Sequence, residues 1–117
     1  MEKVEIEELL TMDFYQKKAV ATAIYGEGNA VTYPALGLAN EAGEVLGKIK
    51  KVLRDKEGIF NEENNKEIGD EIGDVLWYIA ALCRDLNLNM GQIAFNNLLK
   101  LADRQARGVI HGSGDKR

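Results

Sequence analysis

The sequence predicts an all-α domain, four to five helices packed like a bundle. Three observations predict it. Apolar residues recur three and four apart through nearly the whole 117-residue chain, the period of an amphipathic helix. The β-branched alternation that marks strands is scarce. The one proline, Pro34, stands where a helix would begin rather than inside one. The length fits a single domain, 1–117, whose thin core would gain from association into oligomers.

The elements follow in order. Asp13 is placed as the N-cap of a first helix that reaches Tyr25, and the acidic segment before it has room for one more turn. Gly26 and Gly28 then break the chain. A second helix starts near Pro34 and runs to Arg54. A polar loop with Gly58 and "NEENNK" leads to a third helix, from Glu63 to Leu86. Asn89 caps a fourth, with Gln92 three residues on as the partner in a capping box. Gly108 stops that helix, and 108–117, "GVIHGSGDKR", reads as a flexible tail.

Composition excludes several function classes. The formal net charge of −4 argues against a nucleic-acid or anionic-membrane partner, since both select clustered Lys and Arg. A polyanionic substrate stays possible if a cation lies between it and the protein. Cys83 is the only cysteine, so an intrachain disulfide and a cysteine-based structural zinc site are both out. The N-terminus lacks a signal-peptide pattern. No apolar run approaches the ~20 residues that span a bilayer. A cytoplasmic location is expected. The one histidine, His111, lies in the tail, and Cys83 lies on an apolar stripe. Cys–His and Ser–His–Asp chemistry, and the Glu-x-x-His motif of di-iron bundles, therefore lack a placed histidine.

One pattern is written twice. "EAGEVL" (Glu41 to Leu46) and "EIGDVL" (Glu71 to Leu76) both read acid, apolar, Gly, acid, Val, Leu. On a helical wheel, Leu38, Ala42, Val45, Leu46, Ile49, Val52 and Leu53 form one stripe, with Glu41 and Glu44 at its edge. On the next helix Ile68, Ile72, Val75, Leu76, Ile79, Leu82, Cys83 and Leu86 form another. Glu71 and Asp74 hold the matching edge positions. A short loop makes the two helices antiparallel neighbours. Their stripes would pack and their acids converge. Like charges three apart on a helix cost roughly 0.2–0.5 kcal/mol per pair, and a hard divalent cation removes that penalty. A solvated acidic face is the bland alternative for either pair alone. "EIGDEIGD" offers Glu67 and Asp70 as a second register. Asp70 points further from the stripe, so Glu71 and Asp74 are chosen and Glu67 is kept as an outer candidate. Gly43 and Gly73 cost about 1 kcal/mol each in a helix interior, and close helix approach would compensate.

At these residues the chain resembles a known family. "GLANEAGEV" followed by "EIGDVLWYI" is similar to the MazG-like nucleoside triphosphate pyrophosphohydrolases of the all-α pyrophosphatase superfamily. Their fuller pattern is E-E-x-x-E on one helix and E-x-x-D on the next. Glu41, Glu44, Glu71 and Asp74 match it, and Asn40 stands where the first acid would be. The resemblance runs from Phe14 to the tail. It implies a helical fold completed by dimerisation, as a homodimer or a homotetramer built as a dimer of dimers. It also implies hydrolysis of a nucleoside triphosphate between its α and β phosphates. Mg²⁺, with Mn²⁺ as a substitute, would be held by the four acids.

The fourth helix carries Asn97, Lys100 and Arg104 on one side, with Arg107 continuing the line. Asn97, Lys100 and Arg104 fit the family's phosphate-contacting Asn-x-x-Lys-x-x-x-Arg arrangement. A solvated basic face near a helix C-terminus is the alternative. Tyr78 lies one turn beyond Asp74 and matches a family tyrosine near the nucleotide; a half-buried core tyrosine is the alternative. Lys48 and Lys51 lie near Glu44, to reach a phosphate or simply to pair with acids. Trp77 projects away from the acidic edge and is expected in an interface. Two other functions are weighed: a helical oligomerisation module without catalysis, and a hydrolase that splits phosphoribosyl-ATP.

Overall fold

The computed structural model describes residues 10–117, so the acidic segment ahead of Leu10 lies outside the described residues. Helix α1 spans Met12–Val20 and is capped by Thr11, whose hydroxyl accepts the Phe14 N–H at 3.0 Å. Asp13 is therefore not the cap. It sits in the first turn, and its carboxylate accepts the Gly91 N–H at 2.9 Å instead. The helix also stops short of Tyr25. The Ala19 carbonyl accepts from the Thr22 hydroxyl at 2.7 Å and the Trp77 indole at 3.1 Å, which satisfies the helix end and lets the chain turn away.

After a single 3₁₀ turn, Glu27–Asn29, helix α2 spans Thr32–Asp55 with Pro34 buried in its first turn. Gly58, at φ +73°, closes its far end by donating to the Val52 carbonyl at 3.1 Å. Helix α3 spans Glu62–Asp85 and begins with a reciprocal capping box between Asn61 and Asn64. Helix α4 spans Met90–Ala106. Three side chains cap its first N–H groups: Gln16 takes Met90 at 3.0 Å, Asp13 takes Gly91, and Asn89 takes Gln92 at 2.8 Å. The Gln92 amide turns to Asn96, so the box expected there does not form. Among the described residues the regular structure is helical throughout.

Helices α2 and α3 form the most extensive pairing, α1 lies across α3, and α4 rests on α1. Lys48 meets Glu67 and Glu41 meets Asp74, so numbers rise along α2 as they fall along α3 and the pair is antiparallel. The buried cluster is Ala19, Ala80, Cys83 and Met90, with Tyr15, Leu76, Trp77 and Ile79 packed against it. Ala80 and Ala81 have no exposed surface; their small side chains allow α1 to approach. Gln16 is buried there too. Its amide donates to the Leu88 carbonyl at 2.9 Å while its carbonyl holds α4, which satisfies a polar group that burial would otherwise penalise.

The two apolar stripes close only in part. Leu46, Leu53, Ile72 and Leu86 remain exposed, although periodicity placed them in the core. A two-helix layer has two sides, and α1 covers only one of them. The radius of gyration is 17.2 Å, against about 13 Å for a compact domain of this length. The expected close approach at Gly43 and Gly73 is absent as well: a Cβ at either would meet nothing within 4 Å among the described residues. Within the α2–α3 pair the tight glycine is Gly37, where a Cβ would overlap the Tyr78 ring.

Candidate metal centre

The antiparallel pairing of α2 and α3 brings three carboxylates to one edge of the seam. One oxygen each from Glu41, Glu71 and Asp74 lies within 4.8 Å of the other two. Glu41 and Glu71 are half-buried and Asp74 is exposed. No basic side chain among the described residues forms an ion pair with any of them. Burial, together with the charges of Asp74, Glu71 and Glu44, pushes the Glu41 carboxyl above the ordinary carboxylate range. The group is therefore uncompensated as it stands. Three oxygen donors suit a hard cation. Ligand oxygens around one Mg²⁺ sit about 3–4 Å apart, so closing this group around an ion needs a contraction of about 1 Å, within reach of side-chain rotation.

Glu44 stands outside the group. It is exposed, one turn along α2, and acts on Glu41 only through its charge. Asp70 pairs with Lys66 at 3.1 Å on the outer face, as its wheel position implies. Glu67 lies 4.0 Å from Lys48 and shares a separate cavity of about 260 Å³ with Lys48, Lys51, Asp55 and Lys56. Lys51 thus belongs to the loop end of the hairpin rather than to the carboxylate group. Asn40 is exposed beside Glu41.

A cavity of about 330 Å³ opens beside the acids, lined by Glu41, Asp74, Trp77 and Tyr78. Tyr78, one turn beyond Asp74, faces the same cavity as Glu41 and Asp74. Burial, its neighbour Tyr33 and the charges of Glu41 and Asp74 keep its phenol above the ordinary range. Trp77 is not turned away, as its wheel position suggested. It lines this cavity and anchors its indole N–H to the Thr22 hydroxyl at 2.8 Å. A wheel drawn on α3 alone does not contain α1, the helix that supplies that acceptor.

The basic residues of α4 are engaged elsewhere. Asn97 lines an apolar groove with Leu76, Ile79 and Ile93. Lys100 pairs with Asp115 at 2.6 Å; Arg104 donates to the same carboxylate at 3.0 Å and to the Asp115 backbone carbonyl. Arg104 is only 6% exposed. The tail folds back over these cations. It is organised by Arg117, whose guanidinium donates to the carbonyls of Val109, Ile110 and Gly114. Arg107 pairs with Asp103 instead, at 2.8 Å. Burial raises the Cys83 thiol above its usual value, in keeping with a core role. No described helix is long and apolar enough to cross a membrane.

Sequence reasoning passed over two features, one at this centre and one at the far end of α3. Gly37 admits the Tyr78 ring; one glycine in an apolar helix face gave no hint of which ring needed the room. Asp85, at the end of α3, collects two donors from other parts of the chain, Tyr25 and Val31, beside its neighbour Arg84, and had no signal beyond an Arg-Asp pair.

A protein of Mycobacterium phage L5 described as "Gene 37 protein" is 45% identical to this chain over 112 residues, covering 91% of this chain and 98% of that protein. No solved structure matches. The family model described as "MazG nucleotide pyrophosphohydrolase domain" matches residues 32–109, a span that contains the carboxylates, the cavity and α4. With its helical fold and clustered acids, the chain belongs to the MazG nucleotide pyrophosphohydrolase family, hydrolases that act on nucleotides.

Proposed function

We propose that this protein hydrolyses nucleoside triphosphates, ribo or deoxy, between the α and β phosphates. Water adds across that anhydride, yielding a nucleoside monophosphate and pyrophosphate. The observation that carries the reading is the convergence of Glu41, Glu71 and Asp74 without a counter-charge among the described residues. Those three would hold Mg²⁺, or Mn²⁺ in its place, with Glu44 one turn away as a further acid. The ion supplies Lewis-acid stabilisation of the phosphate oxygens and an activated water. The chain's own share is positioning. The carboxylates fix the phosphate end, and Trp77 and Tyr78 wall the adjoining cavity. Lys100 and Arg104 serve phosphate only once Asp115 releases them. The exposed Leu46, Leu53 and Ile72 support association into a homodimer or homotetramer, which would cover them.

The test is a panel of ribo- and deoxynucleoside triphosphates scored for pyrophosphate release with Mg²⁺. Release from at least one member, abolished in Glu41→Gln and Asp74→Asn while the helical circular-dichroism signal persists, is the expected result. Turnover in both variants equal to the parent would sink the assignment.

A further inference from the structure

Asp85 lies at the last residue of α3, far along the helix from Glu71 and Asp74, yet its side chain is only 6% exposed. Burial of a carboxylate needs donors, and this one has three. The Tyr25 hydroxyl donates at 2.7 Å, the Val31 backbone N–H at 2.9 Å and the Arg84 guanidinium at 3.1 Å. Arg84 also donates to the Tyr25 hydroxyl at 2.9 Å, which closes a ring of charge-assisted contacts.

The Val31 contact is unusual. Val31 takes φ +67° and ψ −55°, a conformation that a β-branched residue enters only under strain. Strain of this kind costs of order 1–3 kcal/mol and survives where surroundings over-determine it. Here the surroundings are the Asp85 carboxylate and the tight Thr32-to-Ala30 backbone bond at 2.7 Å. Two residues later comes Tyr33. Its ring stacks on Tyr25, centroids 4.8 Å apart, and lies 6.2 Å from Tyr78. Tyr78 meets Trp77 edge-on at 5.0 Å, and both line the cavity that holds Glu41 and Asp74. An unbroken line of contacts thus joins Asp85 to the wall of the centre.

We propose that Asp85 is a positioning residue that sets the Tyr78 wall of the carboxylate cavity through Tyr33, by fixing Tyr25 and the Val31 turn. The wall's task, as a surface for the nucleoside part of the substrate, rests on the function proposed above. Asp85 touches no substrate. It acts through the aromatic rings, so it governs how well substrate is seated more than how fast the bond breaks.

Asp85→Asn keeps the shape of the side chain and removes its charge. The expected result is a rise in KM of about tenfold with kcat changed by less than about twofold. Trp77 is the only tryptophan, so a shift in its fluorescence should report loosening of the neighbouring Tyr78 without any need for turnover. Val31→Gly relieves the strain, since glycine accepts positive φ. Because Asp85 acts through the Val31 turn, Val31→Gly in the Asp85→Asn background should bring KM and emission part of the way back to parental values; no change in either would overturn the proposal. An Asp85→Asn protein with parental KM and parental Trp77 emission overturns it as well. Should Asp85→Asn not fold, Tyr33→Leu decides, because Tyr33 is 45% exposed and tolerant of change. A KM increase and an emission shift there support the wall; neither change rejects it. A fluorescence shift in a protein whose Glu41→Gln variant still turns over would uphold the positioning role and reject the metal reading, so the two failures separate.

Discussion

The molecule has two charged clusters, and it treats them in opposite ways. On the α2–α3 edge, Glu41, Glu71 and Asp74 face one another with no cation among the described residues paired to them. On α4, Lys100 and Arg104 are matched by Asp115, and Arg104 is buried beneath the tail. Both clusters contain side chains three or four apart on one helix, Glu71 with Asp74 and Lys100 with Arg104. The difference lies in what the rest of the chain brings to each. A cluster left repelling itself is held ready for a partner from outside, whereas a neutralised cluster stabilises the fold. Under the function proposed, the acids are the reactive end of this chain, and the cations would have to be uncovered before they could serve an anion.

Adding the missing counter-charge to the acids has the largest expected effect. Millimolar Mg²⁺ should raise the melting temperature, because a ligand bound only by the folded state stabilises it by RT ln(1 + [L]/Kd), about 2.7 kcal/mol at a hundredfold excess over Kd. Asp74→Asn should erase that rise while slightly stabilising the metal-free protein, since it removes repulsion. A metal-induced rise that persists in Asp74→Asn would place the ion elsewhere.

Next is Gly37→Ala, which touches neither cluster but would force the Tyr78 ring out of its place beside the acids. Overpacking of this kind costs about 1–3 kcal/mol. Chemical denaturation should show that loss, and a parental midpoint would mean that the ring moves freely.

The pH dependence sharpens the contrast further. The folded Glu41 carboxyl holds its proton more tightly than the unfolded one, whose ordinary value is 4.5. Below that value both states are protonated and Glu41 exacts no penalty. As pH rises from there through the raised folded value, the penalty grows, then stays full. Without divalent cation, Glu41→Gln should therefore gain stability over the parent as pH rises across that window. With Mg²⁺ the parent should gain ground as pH rises, because the ion requires ionised carboxylates. Melting curves of both proteins across the window check this. A difference between them that does not vary with pH would count against the raised carboxyl.

The smallest effect belongs to the neutralised cluster. Asp115 is exposed and its carboxyl is held low by Lys100 and Arg104. Exposed ion pairs contribute about 0–1 kcal/mol. Asp115→Asn should lower the melting temperature by no more than a degree or two, yet speed proteolysis of the tail. Unchanged proteolysis would show that Arg117 alone holds the loop.

The sequence by itself determined the helices, most of their ends and the acids' register. Those follow from local rules: apolar period, the Asn89 cap, and a Val-Leu pair that picks Asp74 over Asp70. Tertiary structure alone decided that Glu44 stays outside the group, that Gly37 rather than Gly43 makes room for a neighbour, that Trp77 turns to the cavity, and that Asp115 and Asp85 are bound. A wheel fixes the direction of a side chain around its own axis. It carries no information on which helix lies opposite, how closely, or which distant carboxylate or carbonyl the fold delivers there.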